Sequence, residues 1–285
     1  MSGTLNSINT NVGAMVALES LNSTNMQLNT AQNEISTGYR VSSAVSDGAA
    51  YAVAQSVRSD VGALTAANQQ LGGVQSLLST TVTSLNDVSN LMGSMREVLV
   101  DLSNSSSTSE ERSQYAQQYN SYLANLKDFI TDSAYNGVSL IDDLGGASLS
   151  SVSVITNEVG GTYSIASFSG SGLYNSLAFT STQLGGPSTV AALITTTGTF
   201  MNQFNSVNTE LNTYGAATNY VTNQVNYNSD KIDSLNSGLG ALVDADLASE
   251  SALLESLQTR QQLATQALTL ADQAPSTLLT LVKNA

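Results

Sequence analysis

The stretch VRSDVGALTAANQQLGGVQSLLSTTVTSLNDVSNLMGSMREVLVDL, from Val57 to Leu102, decides the fold. Val57, Leu64, Leu71, Leu78, Leu85, Met92 and Leu99 recur at every seventh residue, and Val74, Val88, Met95 and Leu102 fall three places later, with Thr81 as the weak member of that set. An apolar stripe of period seven is how one helix packs along another. Unbroken, a helix over this stretch would be about 70 Å long at roughly 1.5 Å per residue. The expectation is a rod rather than a globular helix.

The second half of the chain mirrors the first. Phe200, Val207, Tyr214, Val221, Leu235 and Leu242 share one heptad position, interrupted where Asn228 occupies it, and Phe204, Leu211, Thr218, Val225, Ile232 and Leu239 share the other. Two seams of similar length imply an antiparallel helix pair within one chain. A third, shorter seam runs through Tyr115, Tyr119, Tyr122, Leu126 and Phe129, preceded by Thr108 and Glu111 at the spacing of a capping box. The serine-rich run Ser103 to Ser109 is then a connecting loop.

Each end of the chain carries a further amphipathic segment. Leu5, Ile8, Val12 and Met15 step by three and four, and Leu21, Leu28 and Ile35 by seven; at the far end Leu247, Leu254, Leu257, Ala264, Leu268 and Ala271 do the same. Asp246 suits a helix N-cap, and Pro275 should bend or interrupt the last helix. The two ends are expected to pair. The segment from Asn136 to about Thr199 differs in kind: it is rich in Gly and Ser, lacks Lys and Arg, and alternates at Val152 and Val154 and again at Tyr163 and Ile165. With Asn157, Gly160 and Gly161 between those runs, it reads as a β-hairpin or small sheet.

Composition excludes most chemistry. None of the 285 residues is His, Cys or Trp. Ser-His and Cys-His nucleophiles, disulfides, iron–sulfur clusters and the usual zinc sites are therefore out of reach. Eight basic residues against twenty-two acidic ones give a net charge of −14, which repels a phosphate backbone and an anionic membrane surface. No stretch approaches the length of a membrane-spanning helix. Met1 to Asn11 shows neither a basic leader nor an apolar core, so export without a cleaved signal peptide is expected. No enzyme activity, cofactor or metal is expected, and neither nucleic acid nor an inserted membrane is an expected partner.

The remaining motifs have bland explanations. Asp142 with Asp143, Glu110 with Glu111, and Asp244 with Asp246 lack calcium-loop spacing and read as solvated turns and caps. Gly170 and Gly172 form a G-x-G without the residues of a nucleotide loop, and a sheet turn is the simpler reading. Tyr115, Tyr119 and Tyr122 fit a helical seam with hydroxyls at its rim. Hydroxyl clusters in the middle segment serve as turns, with sugar attachment as the functional counterpart. Heptads also occur in monomeric bundles. Apolar stripes at both chain ends, where a monomer usually has frayed polar termini, point instead to burial by other copies.

The residues also resemble a family. The run SINTNVGAMVALESLNSTNMQLNTAQNEISTGYRVSSAVSDGAAYAVAQSVRSD, with its turn from Ser36 to Ser43 and the segment Ala50 to Gln55, is similar to the start of bacterial flagellins. The ending from Leu242 to Ala285 is as close, and AYNGVSLI from Ala134 to Ile141 resembles the family's passage into its β-region. The sparse charge and the ending look most like the short flagellins of alphaproteobacteria.

That resemblance implies a mainly α fold: a long antiparallel coiled-coil rod with a small β-hairpin region, its outer domain reduced or absent. The expected divisions are an inner domain of residues 1–44 and 244–285, a rod of 45–140 and 199–243, and a variable region of 141–198. The implied function is that of filament subunit, self-assembling into a hollow helical polymer that acts as a propeller, with termini disordered until assembly. A hook–filament junction protein and another secreted coiled-coil surface protein stand as alternatives. Implied partners are further copies, sister flagellins, the junction protein, the filament cap, an export chaperone and the type III export gate. The resemblance assigns self-assembly to Leu5, Ile8, Val12, Met15, Leu21, Leu28, Ile35, Leu247, Leu254, Leu257, Ala264 and Leu268. It assigns the rod seam to Leu71, Leu78, Leu85, Met92, Leu99, Leu211, Val225, Ile232 and Leu239. Arg96 and Glu97 match part of a segment read by an innate receptor, but Ser94 stands where a second Arg is common, so weak recognition is expected.

Overall fold

A computed structural model describes residues 10–145, 148–149 and 151–283. Its contacts fall into two units: the described residues within Met1–Ser59 and Ser234–Ala285, and those of Asp60–Asp233. The chain order is α1 (Val12–Thr37), α2 (Gly48–Ser103), α3 (Ser109–Thr131), β1 (Val138–Ser139), β2 (Ser148–Leu149), β3 (Val152–Ile155), β4 (Thr162–Ile165), α4 (Gly170–Leu177), α5 (Ser181–Gly185), α6 (Pro187–Leu193), α7 (Thr199–Val243) and α8 (Leu247–Lys283).

In residues 60–233 the heptads become the core. Leu71, Leu78, Leu85, Met92 and Leu99 of α2 are buried, as are Phe200, Val207, Tyr214 and Val221 of α7, and with Tyr119, Leu123, Leu126 and Ile130 of α3 they form one continuous cluster. Leu211 and Val225 pack half-buried against it. Side chains across the α2–α7 contact set its direction: Gln75 donates to Thr222 at 3.0 Å, and Ser89 and Asn208 are hydrogen-bonded at 3.1 Å. Rising numbers on one helix meet falling numbers on the other, so the pair is antiparallel. Thr108 and Glu111 close the capping box at the start of α3, each receiving the other's backbone N–H.

The middle segment holds more than a hairpin. β3 and β4 pair antiparallel from Val152↔Ile165 to Ile155↔Thr162, around an Asn157 side chain that accepts from the N–H groups of Val159 and Gly161. β1 and β2 form a second, two-residue parallel pair. The G-x-G at Gly170 opens helix α4 rather than a sheet turn. Ser169 caps it by accepting from Gly172 N, and the Asp143 carboxylate accepts from Ser171 N and from the hydroxyls of Ser169 and Ser171. Leu173 and Leu177, one turn apart, then bury themselves.

α4 also relocates a hydroxyl that the sequence reading put at the rim. Tyr119 is fully buried, and its Oη donates to Leu177 O at 2.8 Å. Burial raises its phenol above the usual range. Asp142, expected in a solvated turn, is buried too, its Oδ1 accepting from the N–H groups of Leu144 and Gly145.

In the other unit, α1 pairs with α8. α1 ends at Gly38, whose φ of +75° is the left-handed conformation that a side chain would resist. The chain then crosses to the end of α7: Arg40 N and Val41 N donate to Val243 O, and the Arg40 guanidinium to Leu242 O at 2.7 Å. Val41, Ala54 and Val243 form a small cluster there, with Leu239 and Leu242 packed on it. Asp246 caps α8 as expected, accepting from Ala248 N and Ser249 N. Pro275 does not interrupt α8, which continues to Lys283. The helix passes the missing N–H by leaving one carbonyl, that of Ala271 four residues earlier, to another donor.

The core of residues 60–233 predicts a clear ranking in urea unfolding. Leu85→Ala should cost about 2–5 kcal/mol, because a buried heptad position is emptied. Tyr119→Phe keeps the ring and loses one buried hydrogen bond, and should cost about 1 kcal/mol.

Candidate functional site

The terminal helices α1 and α8 each carry apolar residues on two faces. With roughly 100° per residue, Leu21, Thr24, Leu28, Ala31 and Ile35 share one side of α1, and this side meets Leu254, Leu257, Gln261, Ala264 and Leu268 of α8. Leu28, Ala31 and Leu257 are buried and Leu254 packs on them, while Leu21, Ile35, Ala264 and Leu268 are half-buried. Gln261 Nε2 donates to Asn25 Oδ1 at 2.6 Å within the same contact. Low numbers on α1 face high numbers on α8, an antiparallel pairing.

The opposite side of α1 is uncovered and carries exposed apolar residues among polar ones, Glu19 included. Met15, Val16 and Met26 are 65%, 60% and 66% exposed, and Val12 lies with them at 44%. On α8, Leu263, at the edge of a groove shared with Ser20, Ser23, Thr24 and Gln27 of α1, and Leu270, two turns along, are 59% and 69% exposed. Leu247 is also exposed. Leu5 and Ile8 lie outside the described residues. The stripe that the sequence reading traced from Val12 to Ile35 is thus divided by the structure between two opposite faces. Val16, Met26, Leu263 and Leu270 went unnoticed, although Val12, Met15 and Val16 already carry the three- and four-residue spacing of a second face.

Asn11 ties the first turn of α1 to the far part of α8. Its Oδ1 accepts from Ala14 N as the N-cap, and its Nδ2 donates to Ala271 O at 2.6 Å, the carbonyl that Pro275 leaves unpaired. Both halves of one amide therefore satisfy backbone groups that their own helices cannot. Nearer the other end of the pair, burial and the charge of Glu250 raise the Glu34 carboxyl above the usual range, with Arg40 opposing them.

Elsewhere the predicted residues fall as follows. Leu71, Leu78, Leu85, Met92, Leu99, Leu211 and Val225 belong to the core of residues 60–233, Ile232 is half-buried, and Leu239 packs at Val243. Arg96 and Glu97 are exposed on α2. Among the described residues no three His, Cys, Asp or Glu side chains stand together as a metal would require, and no helix is long and apolar enough to cross a membrane.

Two family models match the chain, the bacterial flagellin N-terminal helical region over residues 8–145 and the bacterial flagellin C-terminal helical region over residues 194–282. Flagellin FljK of Caulobacter vibrioides is 33% identical over 283 residues, covering 98% of this chain and 99% of its own. A flagellin of Brucella melitensis is 31% identical, with 97% and 99% covered. The crystal structure of a Bacillus cereus flagellin aligns at a TM-score of 0.49 and 18% identity, over 56% of this chain and 88% of that one.

If Asn11 serves both helices, its removal should matter less once α8 can satisfy itself. Asn11→Ala should speed amide exchange in the first turn of α1, by an amount equivalent to about 0.5–2 kcal/mol for a lost cap. Pro275→Ala restores a donor to Ala271 O, and in that background the effect of Asn11→Ala should shrink; equal effects in both would refute the link. The sign of the Glu34 shift makes a second expectation. A raised folded pKa adds stability that is complete below the unfolded value, about 4.3, and fades as pH rises through the folded one. At neutral pH Glu34 therefore opposes the α1–α8 pair, and Glu34→Gln should slow exchange along α1 at pH 7 and have little effect at pH 4.

Proposed function

The chain belongs to the bacterial flagellins and is a structural subunit of the extracellular, self-assembling flagellar filament, and from that premise we propose that the outward apolar faces of α1 and α8 hold each copy to its neighbours. The observation that carries this is the exposure of Met15, Val16, Met26, Leu263 and Leu270 along the helix pair, with Met26 and Leu263 flanking the grooves between the two helices. Such a surface costs solubility in a free chain and gives binding energy when another copy covers it. Few charges interrupt it.

The inward faces have a different task. Leu21, Leu28, Ile35, Leu254, Leu257, Ala264 and Leu268 join the two ends of one chain, so that the outward residues are presented together. In domain terms, residues 1–44 with 244–285 form the assembling part, 45–140 with 199–243 a second helical part, and 141–198 the variable region. Export proceeds through the export chaperone and gate. The junction protein, the cap and sister flagellins meet the same terminal faces. Arg96 and Glu97, without a second Arg at Ser94, give weak recognition by the innate receptor.

Seeded growth tests the outward face. Purified chain added to short filament seeds should lengthen them, as seen by electron microscopy. Met15→Glu and Leu263→Glu should each stop elongation, because a carboxylate would be buried unpaired at every contact, while the unfolding transition of residues 60–233 stays at its parental midpoint. Parental growth rates from both variants would rule out these faces as the contact.

A further inference from the structure

The seam between α2 and α7 is so regular that apolar burial alone does not choose a register. Sliding one helix along the other by seven residues, about 10 Å, again sets Leu or Met against Phe, Val or Tyr. Three positions break the repeat, Thr81, Thr218 and Asn228, but the two threonines donate to carbonyls of their own helices, so of the three the amide alone reaches across. Asn228 occupies the place that Phe200, Val207, Tyr214 and Val221 hold in the preceding heptads, and like them it is completely buried. No other Asn or Gln among the described residues is buried.

Its amide is fully used. Nδ2 donates to Asn68 Oδ1 and to Thr156 O, both at 2.9 Å, and Oδ1 accepts from Gln224 Nε2 at 2.9 Å. Gln224 Nε2 also reaches Thr156 O, at 3.1 Å. Asn68 belongs to α2, Gln224 to α7, and Thr156 to the β3–β4 turn, where its N and Oγ1 both donate to Gly161 O. One turn further along α7, Lys231 pairs with Glu158 of the same turn at 2.5 Å. That ion pair is partly exposed and can re-form after a small shift; the Asn228 amide is enclosed and cannot.

We infer that Asn228 sets the axial register of the subunit, tying α2, α7 and the β3–β4 turn at one height where an apolar residue would give more burial but leave the helices free to slip. In the two neighbouring registers the place of Asn68 falls to Val61, which offers no hydrogen bond, or to Gln75, which natively donates to Thr222. In both, the buried amide loses its α2 partner, while the Thr156 carbonyl, held to α7 through Gln224, stays beside it. A polar residue at one seam position is a known means of specifying register at a cost in stability. The inference takes the filament role as given. A lattice of identical contacts requires every copy to present them at identical heights, and a slip of one heptad would break that identity.

The chain has no cysteine, so engineered pairs report register without background. S89C/N208C reports the native register, since Ser89 Oγ and Asn208 Oδ1 lie 3.1 Å apart. V82C/N208C and R96C/N208C report slips of one heptad in either direction, which the native register holds too far apart for a disulfide. In the full chain under mild oxidation, only the first pair should close. With N228L added, the melting temperature should hold or rise while a slipped pair closes several-fold more than with Asn228 present. N68L/N228L, which leaves no amide unpaired at the site, provides the same readout if N228L alone fails to fold. A folded N228L or N68L/N228L chain in which slipped pairs close no more than in the parent overturns the inference, whether its melting temperature rises or falls.

Discussion

The antiparallel contact of α2 with α7 is the interaction on which residues 60–233 depend. Every other element there is added to it. α3 lays Tyr119, Leu123, Leu126 and Ile130 against the seam, the hairpin contributes Val154 and Ile165, and the short helices contribute Leu173, Leu177, Leu184 and Val190 to the same cluster. None of α4, α5 or α6 is long enough to be stable alone. They persist because each has one or two apolar side chains to place on a surface the long helices have already formed, and because Ser169 and Thr180 cap the first two of them.

The α1–α8 pair follows a different economy. Among the described side chains its buried cluster is Leu28, Ala31 and Leu257, with Leu254 beside it, which is little apolar burial for two long helices. Polar contacts supplement it: Gln261 with Asn25, and Asn11 with Ala271 O. Meanwhile the larger side chains Met15, Met26, Leu263 and Leu270 point outward. Had they faced inward, the pair would be a better-packed coiled coil and a poorer surface for association. Cohesion within the chain is thus modest at the faces proposed to meet other copies.

Period seven made the long helices and the core legible in the sequence, because Leu71 to Leu99 and Phe200 to Val221 repeat over many turns. The capping box at Thr108 and the cap at Asp246 were legible because each depends on neighbours a few residues away. What escaped depends on contacts distant in sequence. The Tyr119 hydroxyl could not be placed before Leu177 was known to lie over it, and the heptad interruption at Asn228 looked like a defect until Asn68 and Thr156 met it. α4 escaped for a local reason, since two apolar residues one turn apart fall below what a periodicity can reveal. The outward and inward faces of the terminal helices are hard to separate in the sequence, because steps of three, four and seven recur on both and the faces differ only in angle around the helix.

Charge is scarce, at 11% of residues, against about a quarter in ordinary globular chains. Lys231 and Glu158 form an ion pair. Hydroxyls take up much of the remaining surface, and many are already satisfied by their own helix: Thr65 donates to Val61 O, Thr80 to Ser76 O, Thr209 to Asn205 O, Thr213 to Thr209 O and Thr259 to Glu255 O, all at 2.8 to 3.1 Å. A Lys or Glu on the same face would have to find a counter-charge or be desolvated unpaired when another copy covered it. A threonine bonded to its own helix carries its partner with it, and can pass from water to a contact without a new donor or acceptor. In a polymer the exterior of one copy becomes the interior of the next, and a helix surface that is polar yet internally satisfied meets both conditions.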